Sequence, residues 1–113
     1  IFPPCRYIMP YMVSSTLKYS QKITLIHRKT EHIAVAEIKV WVVKATKDYP
    51  QGIKYSLFCV NLETKEVIIG FDNHKPKGPH KHLGDHEVDY SFDSTDQLLD
   101  DFWNEIKKRG YVV

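Results

Sequence analysis

Between Asp72 and His86 the chain gathers four of its six histidines, three lysines and two aspartates, with Pro76, Gly78, Pro79 and Gly84 setting the path of the backbone. A segment of this kind does not read as core, and loops that hold such side chains out from a scaffold often carry function. His80 and His82 are two residues apart. In extended backbone both rings leave the same side, with their Cα atoms about 6.5 to 7 Å apart. Two imidazoles suit a general base and a general acid on either side of a phosphate, the arrangement that cleaves RNA through its 2′-hydroxyl. Asp72 can orient one ring, while Lys75, Lys77 and Lys81 can neutralise phosphate charge, with Asn73 and His74 adding polar contacts to a substrate. The candidate catalytic residues are therefore His80, His82 and Asp72.

The same His-x-His spacing also suits a metal such as zinc, with Asp72, His74 or His86 completing a shell around His80 and His82. No second fixed pair of ligands accompanies it, so no cofactor is expected and zinc stands as the alternative. The plainest reading of all is a solvated turn between strands.

Composition bounds these options. A chain of 113 residues with 42% hydrophobic content has room for one modest core and no second domain. A formal charge of +2 does not by itself mark a nucleic-acid binder. Its distribution is more informative: Asp89, Asp93, Asp96, Asp100, Asp101 and Glu105 all follow Asp85, which leaves the middle of the chain basic. Cys5 and Cys59 make no disulfide framework, and Cys59, inside an apolar run, reads as a small buried hydrophobe. No apolar stretch approaches the roughly 20 residues needed to cross a bilayer. The expectation is a cytoplasmic protein without membrane association.

The elements that would position the loop follow from periodicity. Residues 1–17 contain three prolines and no period, which suits an extended arm, and residues 18–113 then form a single α+β domain. Met9 and Met12 offer alternative starts for the natural chain. The arm is otherwise suited to pack against a second copy, giving a homodimer. Tyr19 to His27 alternate as a half-buried strand, and Ile33 to Lys44 follow as a second. In that second strand Ala36, Ile38, Val40 and Val42 share one face. Glu37, Lys39, Trp41 and Val43 share the other, a mixed face suited to water or to a ligand. Ile53 to Val60 and Val67 to Phe71 continue the pattern through a tight turn at Asn61 to Lys65, and Tyr90 to Phe92 add a short fifth strand. Trp41, Tyr55 and Trp103 could stack on bases, but aromatics in amphipathic elements are more often core. His27 and His32 flank a turn and are read as exposed.

Ser94 with Gln97 offers a capping box, and a helix to about Arg109 follows, with Leu98, Leu99, Phe102, Trp103 and Ile106 as its apolar stripe. Gly110 is a suitable C-terminal cap. The expected fold is an antiparallel meander of four to five strands with one C-terminal amphipathic helix packed on one face.

Four motifs stand in order: Phe71-Asp72-Asn73, then Gly78-Pro79-His80-Lys81-His82-Leu83-Gly84, then Tyr90-Ser91-Phe92, then Leu98-Leu99 with Phe102-Trp103. In this order and spacing they resemble the TumE family of toxins from prokaryotic toxin-antitoxin systems. The resemblance covers Tyr55 to Trp103 well, the strands before Tyr55 agree in character, and the arm before Lys18 has no counterpart. It implies a toxin whose partner is a cognate antitoxin with a DNA-binding domain. Joined to the loop chemistry, the leading expectation is a toxin that binds and cleaves RNA without a metal. The alternatives are an inhibitory protein that binds its partner without catalysis, and a metal-dependent nuclease or hydrolase using the same histidines.

Overall fold

A computed structural model describes residues 16–75 and 77–113. They form a seven-stranded antiparallel sheet crossed by one helix. The strands are β1 (Thr16–His27), β2 (Ile33–Val42), β3 (Ile53–Asn61), β4 (Val67–Asp72), β5 (His80–Leu83), β6 (His86–Asp89) and β7 (Tyr111–Val112). Their spatial order is β6-β5-β4-β3-β2-β1-β7, so six strands run as a meander and the last returns to the far edge. Residues 1–15, most of the expected arm, lie outside the described residues, whereas Thr16 and Leu17 already belong to β1 and pair with Val42 and Trp41.

The expectation of four to five strands is corrected to seven, within the same α+β class. Three local reasons account for the difference. His80-Lys81-His82-Leu83 and His86-Glu87-Val88-Asp89 carry no apolar alternation, so their pairing has no hydrophobic period to announce it. Their connection is the two-residue turn Gly84-Asp85. Gly84 has φ +68°, as a hairpin turn with glycine in its first central position requires. Tyr111 and Val112, only two residues long, pair with His27 and Ile26. Tyr90 to Phe92, by contrast, form no strand. Tyr90 instead sets its ring edge-on against Phe71 at 5.0 Å, and Phe92 stacks against Tyr55 at 5.1 Å.

Alternation along the strands makes the sheet two-faced. Leu25, Ala34, Ala36, Ile38, Val40, Tyr55, Leu57, Cys59, Ile69 and Phe71 are all buried on one side, beneath helix α1 (Thr95–Lys108). The helix contributes Leu98, Phe102 and Ile106, four residues apart each time, so one narrow stripe enters the core. Trp103 lies beside that stripe, half-buried, and lines an apolar groove of about 280 Å³ with Leu25, Ile106 and Tyr111. Ser94 Oγ accepts from the Gln97 amide at 3.1 Å, as the capping pattern required, while the Gln97 side chain turns forward to Asp101.

After β6 the chain turns back over the sheet, with Tyr90 on Phe71 of β4 and Phe92 on Tyr55 of β3, and the helix that follows must deliver it to β7 beside β1. Gly110 makes that return possible. It has φ +89°, and an added Cβ would stand 2.7 Å from His27 Nε2. His27 is thus a packed structural residue: its ring stands edge-on to Tyr111, and its Nδ1 accepts from the amides of Lys29 and Thr30. A polar clasp ties the helix to β5 on the same side. Glu105, with 13% of its side chain exposed, accepts from Lys81 Nζ at 3.3 Å and from Arg109 Nη1 at 2.8 Å. Burial alone would raise the Glu105 carboxyl, but the hydrogen bonds from Arg109 and Lys81 overcome it and leave the group below the usual carboxylate range.

Two expected outcomes follow from this packing. Phe102→Ala, which empties a fully buried site against Phe71, should cost about 3 to 5 kcal/mol in chemical denaturation, and Trp103→Ala clearly less. Equal losses for the two would contradict the half-buried placement of Trp103. Glu105→Gln should destabilise by about 1 to 3 kcal/mol at neutral pH through its charged hydrogen bonds. Because folding lowers the Glu105 carboxyl, its contribution is complete above the unfolded carboxylate value of about 4.3 and is lost as the pH falls through the folded value. Denaturation midpoints of the two proteins should therefore converge in acid, and a gap that widened in acid would reverse the sign of the effect.

Candidate functional site

β5 pairs with β4 in a register that sets His80 against Asp72 and His82 against Gly70. The neighbours Phe71 and Lys81 face the helix, so Asp72, His80 and His82 all stand on the other side of the sheet, which among the described residues carries no helix. The three side chains converge. His80 Nε2 lies 3.2 Å from Asp72 Oδ1, His82 Nε2 lies 3.7 Å from Asp72 Oδ2, and the two rings meet edge-on with centroids 5.0 Å apart.

Their environments differ. The His80 side chain is 7% exposed and that of His82 is 29% exposed, so only the second is open to a large substrate. His80 Nδ1 lies 2.7 Å from the Gly78 carbonyl, which can only accept, so this nitrogen carries a proton and Nε2 is the atom turned to the carboxylate. Asp72 Oδ1 also accepts from the His74 amide at 3.1 Å, an Asx turn that fixes the carboxylate at the end of β4. His82 Nδ1 faces Glu87 Oε1 at 3.9 Å from the next strand. Glu87 is held below the usual carboxylate range chiefly by its hydrogen bond with Lys77, whose Nζ lies 2.8 Å away.

The remaining candidates are spread more widely. Asn73 is buried and bridges two strands' ends, donating to the Ile53 carbonyl at 2.8 Å and accepting from the Tyr55 amide at 2.9 Å. Lys81 reaches to the helix side, to Glu105, with the Phe71 ring 5.8 Å from its ammonium. His74 and Lys75 are exposed on the turn that leaves β4, and the Lys75 backbone amide donates to the Tyr49 hydroxyl at 3.4 Å. His86 stands at the hairpin tip, exposed beside Asp85 and opposite Leu83. Among the described residues, the potential metal-ligand group is Asp72, His80 and His82, whose ligand atoms lie within 4.8 Å of one another.

Two residues beside the site escaped the sequence. Phe58 lies in register with Gly70, and its ring is 5.9 Å from that of His82. A Cβ on Gly70 would come within 2.3 Å of the Phe58 ring, so the glycine is what allows the aromatic to lie down over β4 next to His82. Only strand register reveals this pairing, since Phe58 and His82 are far apart in sequence.

Gly70→Ala must push Phe58 aside, so it should destabilise by about 1 to 3 kcal/mol, as overpacked sites do. The His82 ring protons should shift in the NMR spectrum as the neighbouring ring moves. An unchanged His82 signal with unchanged stability would mean that Phe58 is not held there.

Among the described residues, the site occupies a sheet face without a helix over it. Grooves of about 280 Å³ and about 660 Å³ lie elsewhere, the second lined by Ile68, Leu83, Arg109 and Tyr111 among others. Among the described residues no helix is long and apolar enough to cross a membrane. A family model described as Toxin TumE matches residues 10–110. No curated protein and no solved structure matches the chain. The match runs from before Lys18, where no counterpart was expected, to a little past Trp103, and the chain belongs to the TumE family of toxins.

Proposed function

We propose that this toxin cleaves RNA at the Asp72–His80–His82 centre, with a cognate antitoxin that carries a DNA-binding domain as its partner. The observation that carries the reading is the convergence of two imidazoles on one carboxylate at 3.2 and 3.7 Å, on a sheet face open to a polymer. His82, the more exposed ring, takes the proton from a 2′-hydroxyl, and the 2′-oxygen then attacks the adjacent phosphorus. Asp72 stabilises the imidazolium that results, in the way a buried carboxylate supports a catalytic histidine. His80, anchored to the Gly78 carbonyl, holds Asp72 in place and couples the second imidazole to the same proton network. The His82 imidazolium then gives its proton to the departing 5′-oxygen as the bond from phosphorus to that oxygen breaks, which leaves a 2′,3′-cyclic phosphate and a neutral ring. The exposed Lys75, on the turn that leaves β4, supplies positive charge for the phosphate, while the charge of Lys77 is taken up by Glu87.

A second reading is metal-dependent hydrolysis, favoured by the compactness of the Asp72, His80 and His82 ligand atoms. The His80 Nδ1 contact to the Gly78 carbonyl is also the outer-shell bond that commonly orients a metal-binding imidazole. Zinc held by these three groups would retain an open position and lower the proton affinity of a bound water.

In the acid-base reading, purified protein cleaves single-stranded RNA in the presence of a chelator, and His82→Ala lowers the rate by about 100-fold or more. His80→Ala combined with His82→Ala should add little, because groups that work as a unit are not additive. Cleavage abolished by the chelator and restored by zinc transfers the chemistry to the second reading. Toxicity that survives loss of both histidines sinks catalysis at this centre altogether and leaves inhibition by binding.

A further inference from the structure

We propose that the helix-free face of the sheet is a track for single-stranded RNA, running from the Asp72–His80–His82 centre across β3 and β2 to Trp41. The proposal rests on the ribonuclease reading for the identity of the polymer and adds where that polymer lies and what holds it.

Register places the components in rows. Lys22, Glu37, Phe58, Gly70 and His82 are side by side across five strands, and Ser20, Lys39, Ser56, Asp72 and His80 form the adjoining row. Trp41 and Lys54 stand opposite each other one step further along. Because the period of a strand is two, all of these share the face that α1 leaves uncovered. Two flat rings are thus presented with cations between them. Phe58 lies over the Gly70 backbone beside His82, and Trp41 lies half-buried with Lys54 Nζ 5.4 Å from its ring centre. Four residues and one strand separate Phe58 from Trp41, about 14 Å. Sheet faces that read single strands combine these same parts, aromatic rings for stacking bases and basic side chains for the backbone.

Charge gives the track a direction. Lys22, Lys39 and Lys54 outnumber Glu37 and Asp72 on this face, and Glu37 is itself offset by Lys39 at 3.7 Å. On the other side of the histidines, β6 presents Glu87 opposite His82 and Asp89 opposite His80. A polyanion that reaches His82 is therefore drawn toward β2 and away from β6. The acidic cluster of the helix, with Asp101 and Glu105 engaged by Tyr90, Lys81 and Arg109, lies beneath the opposite face.

Trp41 also reports on the track. The chain has two tryptophans, so His82→Ala combined with Trp103→Phe leaves Trp41 as the sole indole in a protein that no longer cleaves. Titration with an oligouridylate of about ten nucleotides should quench Trp41 emission saturably, and the affinity should fall steeply with salt. In the same background Lys39→Glu with Lys54→Glu should weaken binding at least tenfold, and Trp41→Ala about tenfold, with Trp41→Phe retaining most of the affinity. Lys108→Glu, on the helix, should change it less than about twofold. Oligouridylate that binds by anisotropy without altering Trp41 emission, or that ignores the Lys39 and Lys54 reversals, overturns the track while cleavage by the unmodified protein keeps the ribonuclease reading. A protein that neither binds nor cleaves the oligonucleotide overturns both.

Discussion

The register of β5 against β4 is the constraint on which the candidate site depends. A strand's side chains alternate, so a slip of one residue would carry His80 and His82 to the helix side and bring Lys81 out in their place. β5 has only four residues and pairs on its far side with an equally short edge strand, so hydrophobic alternation alone is too weak to fix it. The register is set from three directions. Lys81 is drawn to Glu105 on the helix, Leu83 packs against the core, and the Gly84-Asp85 turn closes the hairpin with β6. On the opposite face the two histidines meet Asp72 and Phe58. Lys81 thus contributes to the site by its absence from it, since its attachment on the far side turns its neighbours toward Asp72.

That attachment requires the helix to lie where it does, and the topology leaves it little choice. The chain finishes β6 at one edge of the sheet and must reach β7 at the other, six strand spacings or about 29 Å away. The segment from Tyr90 to Ser94 begins the crossing, with Phe92 already against Tyr55 of β3; fourteen helical residues then add a rise of about 21 Å, and a turn at Arg109 and Gly110 directs the chain into β7. The helix is therefore a diagonal strap, and one face of the sheet is covered because the connection crosses it. Gly110 ends the strap with a positive φ and a close approach to His27, which locks β7 onto β1.

Much of this was legible in the sequence where a physical period existed. The alternation from Ile33, the turn at Asn61 to Lys65, the capping serine and the helical stripe each follow from spacing and reappear in the structure, although the second strand ends at Val42, which is exposed, and not at Lys44. Asp72, His80 and His82 could be grouped because the two histidines are two apart and the aspartate ends a strand. The seven-strand count was not legible, since β5 and β6 are polar and β7 is too short to carry a pattern. Nor could spacing distinguish Lys81 and Asn73, whose types suit a substrate site, from the structural positions they occupy against Glu105 and between Ile53 and Tyr55. Those assignments require knowing which strand lies alongside which, and that information is non-local.

The two-faced sheet also explains how a chain of this size keeps its core apart from a polar cluster. Nearly all of its fully buried apolar side chains lie under the helix, so the opposite face can carry polar and half-exposed groups without dissolving the core. Burying a polar group without partners is costly, which normally keeps an aspartate and two histidines from gathering inside so small a protein. Here the two more buried groups find hydrogen bonds at the sheet edge, His80 with the Gly78 carbonyl and Asp72 with the His74 amide, while His82 stands between the carboxylates of Asp72 and Glu87 at 3.7 and 3.9 Å. The groups are shielded enough to act on one another through a reduced dielectric, yet His82 stays open at the surface. A closed pocket of comparable polarity would need a larger fold to surround it. An open face beside an edge hairpin needs only correct strand register, and a flat opening of that kind accommodates an extended polymer more readily than a small metabolite.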